Sequence, residues 1–142
     1  MIKLKNLLSE NITGGKLTDK VEQQILKNYS AGEKILNAIA KKFQEIPIGK
    51  YIGDCSAHKC DMNSMKKARQ EEYDLYHGII VLTNNKGNLD TLSEHTFNVK
   101  NGKVYEFTNL DDGVKNTRYF GKRVDKKDWK GYKYGRMKKY NF

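Results

Sequence analysis

Residues 93–108 read SEHTFNVKNGKVYEFT, and Asn101-Gly102 near their centre is the strongest short-range signal in the chain. A type I′ turn needs positive φ at both central residues, which Asn and Gly tolerate best. The flanking residues are of strand type, so two antiparallel strands joined by a two-residue loop are expected. In that register Lys100 faces Lys103, Phe97 faces Glu106 and His95 faces Thr108. Side chains of a strand alternate between faces, so His95, Phe97, Val99, Val104, Glu106 and Thr108 share one. His95 and Glu106 are diagonal neighbours there, roughly 6–8 Å apart at the backbone. An imidazole with a carboxylate to orient it is half of a nucleophilic triad.

Working outward, Leu75 to Thr83 reads as a buried strand by its Ile and Val content, and residues 84–88 are a turn cluster. Upstream, Thr18 to Tyr29 carries Val21 and Ile25 at helical spacing. Ser30 and Glu33 have the spacing of a capping box for a second helix, with Ile35, Ile39 and Phe43 on its buried stripe and Ile46-Pro47 as its stop. Residues 48–53 read as a glycine-punctuated loop. Asp54 then reads as the N-cap of a helix running towards Gln70, which places Cys55 in the first turn. Thr117 to Val124 has the pattern of a last strand. The expected fold is α+β: N-terminal helices on a small antiparallel sheet, with the His95 hairpin at its centre. Residues 1–124 form one domain in this reading, with 1–16 as a docking arm and 125–142 as a basic aromatic tail.

The chain of 142 residues is long enough for a real core, although its mean hydropathy of −0.82 requires that core to be compact. No apolar run approaches the length of a membrane span, and no signal-peptide pattern opens the chain. A protein of the cell interior, without a membrane partner, is therefore expected. The net charge of +10 is uneven: residues 115–142 hold 11 Lys/Arg against Asp125 and Asp128, leaving 16 basic and 15 acidic residues before them. In the tail, Lys122, Arg123, Lys126, Lys127, Lys130, Lys133 and Arg136 are interleaved with Trp129 and Tyr132. Phosphate neutralisation plus base stacking uses such residues; a solvated basic arm, or a contact to an acidic protein, uses them equally well.

Cys55 and Cys60 do not make a disulfide framework. A thiol at a helix start is activated by the free N–H groups and dipole there, and on the expected helix that residue is Cys55. Cys60 and His58 are less well placed. His77, inside an apolar strand, reads as structural. Cys55, His58, Cys60 and His77 could together offer zinc-type ligands, but their spacing is not that of a common finger.

Gly53-Asp54-Cys55, Tyr76-His77-Gly78-Ile79, and the run from His95-Thr96-Phe97 to Glu106-Phe107-Thr108 resemble the transglutaminase-like branch of the papain-like cysteine fold. They are most similar to its small members from bacterial viruses. The resemblance spans roughly residues 49–124. It implies Cys55 as nucleophile, His95 as base and Glu106 as orienting carboxylate, with Phe97 where the pattern has tryptophan. No glutamine lies between Pro47 and Asp54, so the Cys55 N–H, helped by Tyr51, is expected to serve the oxyanion. The implied activity is acyl transfer on a protein or peptide amide without a metal or other cofactor, in the cytoplasm of an infected cell or in the virion. The alternative is a non-catalytic basic binding protein on the same fold, with the tail as its working surface.

Overall fold

The computed structural model describes residues 12–132. Among these residues three helices, α1 (Asp19–Asn28), α2 (Gly32–Lys41) and α3 (Cys60–Glu71), accompany six strands. The strands are β1 (Gln44–Ile46), β2 (Ile48–Cys55), β3 (Asp74–Thr83), β4 (Leu89–Lys100), β5 (Lys103–Thr108) and β6 (Thr117–Arg123). A short 3-10 helix follows at Lys126–Tyr132.

The mixed α+β class is as expected, with differences in the sheet. Its order is β1-β6-β3-β4-β5-β2, antiparallel except where β2 runs parallel to β5. The hairpin register is the one derived above, Lys100 opposite Lys103 and Val99 opposite Val104. Its turn has φ of 54° at Asn101 and 75° at Gly102. Residues 48–53, expected as a loop, are a strand: they find their partner in β5, a pairing no local signal announces.

β1 and β2 are the two edges of the sheet, yet Pro47 alone separates them in the chain. Two peptide units span at most about 7 Å, so the sheet must be rolled until its edges meet. The roll encloses Ile46, Phe97, Val99, Val104 and Tyr119, with Tyr76, Ile80 and Val114 packed against them. On the outside, α1 and α2 lay Val21, Ile25, Ile35, Leu36 and Ile39 over Ile79, Val81, Leu92 and Phe120. Such burial contributes roughly 1.5–3 kcal/mol per large aliphatic side chain. α3 joins the same outer side: Ser64 Oγ donates to the Thr96 carbonyl at 2.9 Å, and Asn98 Nδ2 donates to the Ser64 carbonyl at 2.9 Å.

Helix boundaries differ from expectation in two places. Thr18, where the helical pattern is expected to begin, lies just before α1 as its N-cap, its Oγ1 accepting from the Val21 N–H. The Ser30–Glu33 box does not form, because the chain turns tightly between the helices and Ala31 becomes the N-cap. Nor does Pro47 end α2, which stops at Lys41 before β1 begins. Within the expected arm, residues 12–16 form a turn held to α1 by the buried Glu22, which accepts from both the N–H and the hydroxyl of Thr13. Residues 1–11 lie outside the described residues.

Candidate active site

The hairpin brings His95 and Glu106 to the inner face of the roll, where both are buried. Their contact is direct, His95 Nε2 to Glu106 Oε1 at 2.5 Å. The same oxygen accepts from the Tyr119 hydroxyl of β6 at 2.6 Å, and Oε2 accepts from the Thr108 N–H at 3.1 Å. A carboxylate so buried needs every one of these donors. Around it the rings of His95, Phe97 and Tyr119 pack together. His95 stacks on Phe97 with centroids 6.1 Å apart, and Tyr119 meets Phe97 edge-on at 5.0 Å.

Gly121 leaves room for the Phe97 ring, and Gly78 lets the β6 backbone come close to β3. Gly78 on β3 lies between His95 on β4 and Gly121 on β6 in the register. A Cβ at Gly121 would stand 2.8 Å from Phe97 Cζ, and one at Gly78 would stand 1.8 Å from the Phe120 carbonyl oxygen.

Burial disfavours the charged imidazole, but the Glu106 charge, the Cys60 side chain and the hydrogen bond that the ring donates to Glu106 outweigh it, raising His95 to about 10. Burial, with the Glu106 charge and hydrogen bond, pushes the Tyr119 phenol well above its ordinary value, so it stays protonated as a donor.

The thiol that reaches this pair is Cys60. Its side chain shares a cleft with His95 and is among the groups that hold the imidazole proton. The β4–β5 ladder ends at Asn98 and Tyr105. Beyond it, the N-terminus of α3 is tied to the end of β5 by Asn63 Nδ2, which donates to Thr108 Oγ1 at 3.0 Å and to the Ser56 carbonyl at 2.8 Å. Cys60 is the first residue of α3, and its N-cap Lys59 offers no side-chain cap. The Asp61 carboxylate lies 3.8 Å from its sulfur.

The helix expected from Asp54 is therefore displaced, and with it the expected Cys55–His95 pairing. Cys55 ends β2 opposite Thr108, and its sulfur lies 3.5 Å from Asp54 Oδ1. Partial burial and the Asp54 carboxylate raise its thiol above the ordinary range. Asp54 resembled a cap by residue type, whereas the true start follows a turn in which His58 has a φ of 64° and no capping residue marks the spot. Tyr119 was also missed as a site residue, since its contact depends on the pairing of β6 with β3.

Tyr51 is placed differently from its expected oxyanion role. Its hydroxyl donates to the Leu110 carbonyl and accepts the Leu110 N–H, both at 3.0 Å, so it fastens the loop after β5. His77 is bonded to Glu94 at 2.8 Å, in keeping with a structural histidine. Among the described residues no group of three or more His, Cys, Asp or Glu is placed to hold a metal ion.

In the tail, Lys122, Lys126 and Lys127 are exposed, while Arg123 pairs with Asp125 at 2.9 Å. Trp129 is turned inward: its indole N–H donates to the Val124 carbonyl at 3.1 Å, and its ring packs against Met65, Ala68, Leu75 and Val124. The side chains of Lys130 and Tyr132, and all of Lys133 and Arg136, lie outside the described residues. No described helix is long and apolar enough to cross a membrane.

Compared with protein-family models, curated proteins and solved structures, the chain matches none.

Proposed function

We propose that the protein is a cysteine-dependent acyl-transfer enzyme acting on an amide, with Cys60 as nucleophile, His95 as acid and base, and Glu106 as orienting carboxylate. The observation that carries this reading is the row of Cys60, His95 and Glu106, in which His95 is bonded to Glu106 and shares its cleft with the Cys60 thiol. The two residues after the thiol in that row are buried. A helix start and a neighbouring imidazolium both favour a thiolate, and a carboxylate on the far nitrogen holds the ring in one orientation.

The chemistry follows from that arrangement. The thiol proton rests on His95, and Cys60 Sγ attacks the carbonyl carbon to form a tetrahedral oxyanion. Backbone N–H groups in the first turn of α3 are the donors nearest to hand for that charge. Collapse breaks the C–N bond, and His95 gives its proton to the departing amine. Water or a second amine then adds to the thioester, passing a proton to His95, and the Cys60 thiolate leaves. The order of a helix-start cysteine, a strand histidine and a carboxylate on the next strand is the one implied by the transglutaminase-like resemblance, with the nucleophile one cysteine further along the chain.

Limiting iodoacetamide between pH 5 and 8, read by mass spectrometry, tests the assignment. Cys60 is expected to label rapidly below pH 7, and Cys55 only as the pH rises. His95→Ala and Glu106→Gln variants, each checked for native circular dichroism, should lose the rapid phase. Labelling of Cys60 no faster than Cys55 below pH 7 would falsify the proposal.

A further inference from the structure

The Cys60–His95 pair opens onto a cleft of about 430 Å³, within the range of pockets that bind small ligands or a few residues of peptide. Its floor is the far half of the β3–β4 hairpin, where Ile80 and Leu82 present aliphatic side chains. The loop after β5 forms another wall, carrying Leu110, Asp111 and Asp112.

That wall is built in advance. Tyr51 holds Leu110 through both its N–H and its carbonyl. The Asn109 N–H is bonded to the Cys55 carbonyl at 2.8 Å, and the Gly113 N–H closes a turn on the Leu110 carbonyl at 2.9 Å. The two aspartates at the apex are exposed, and neither enters an ion pair among the described residues. In a chain of net charge +10, this places two negative charges, two aliphatic side chains and the thiol along one cleft.

Resting on the Cys60 reading, we propose that the substrate is a peptide amide carrying an aliphatic side chain, seated on Ile80 and Leu82, beside a cationic side chain, met by Asp111 and Asp112. The aliphatic group gains by leaving water. The cation is selected over an anion because one is attracted and the other repelled by the same pair of carboxylates.

Dipeptidyl acyloxymethyl ketones test this, with the rate of covalent labelling at Cys60 as readout. The Leu-Lys reagent is expected to label about fivefold to tenfold faster than Leu-Glu, the size of a partly exposed charge effect. It should also outpace Asp-Lys by about tenfold. In an Asp111→Asn, Asp112→Asn double variant the Lys/Glu ratio should fall to near one, with iodoacetamide labelling unchanged. A Lys/Glu ratio near one in the wild type, a ratio that survives the double variant, or equal rates for Leu-Lys and Asp-Lys overturns the substrate assignment while iodoacetamide reactivity stays intact. Iodoacetamide labelling of Cys60 that does not depend on His95 overturns the reading of the site and this proposal with it.

Discussion

His95 gains a proton-holding partner only when the chain folds. Burial alone would drive the proton off, but Glu106 and Cys60 hold it, so the folded value is about 10 against 6.5 for a free imidazole. A group raised on folding stabilises the native state in full below its unfolded value, and that contribution fades as pH climbs through the folded one. The urea midpoint should therefore decline between pH 7 and about 10, and decline less in a His95→Gln variant that folds. A wild-type midpoint that rises over this window would contradict the assignment of the proton to His95. At this scale much was legible: alternation along one hairpin put His95 and Glu106 on the same face. The thiol was not. Asp54 imitates a helix cap by residue type, whereas Lys59, with no capping bond, gives a reader of the sequence nothing to notice.

Among the elements, the hairpin, β3, α1 and β6 were readable because each is specified by its own residues. β2 was not, since its glycines and Lys50 lack strand character and its ladder runs parallel to a segment more than a third of the chain away. β3 is the strand with least tolerance. It lies between β4 and β6 and crosses β6 at Gly78, where the Phe120 carbonyl occupies the space a methyl would need. A Gly78→Ala change is expected to destabilise the protein by about 3 kcal/mol or more, since backbone and not a yielding side chain stands in the way. Chemical denaturation would measure it; a loss below about 1 kcal/mol would mean that the strands separate more easily than their packing implies.

Across the whole molecule, the roll of the sheet links distant parts of the chain. β1 pairs with β6, and the Glu106 carboxylate accepts from Tyr119 of that same last strand. A chain ending at Gly113 would lose one partner of β3, the whole partner of β1 and the Tyr119 hydroxyl. It should show no cooperative thermal unfolding and no slow-exchanging amides in β3 or β4; slow exchange there would show that the hairpin and helices fold without β6.

The β1–β6 pairing also sets a clock. A ribosome delivers β1 well before β6, so the first strand must wait for the segment between them to be made before its hydrogen bonds can close. Contacts so far apart in sequence form slowly. Throughout that wait Tyr119 is still missing from Glu106, and the carboxylate that holds the imidazole has not been fixed. The newborn polypeptide thus holds His95 beside a carboxylate that is not yet anchored, and the pair settles only when β6 docks.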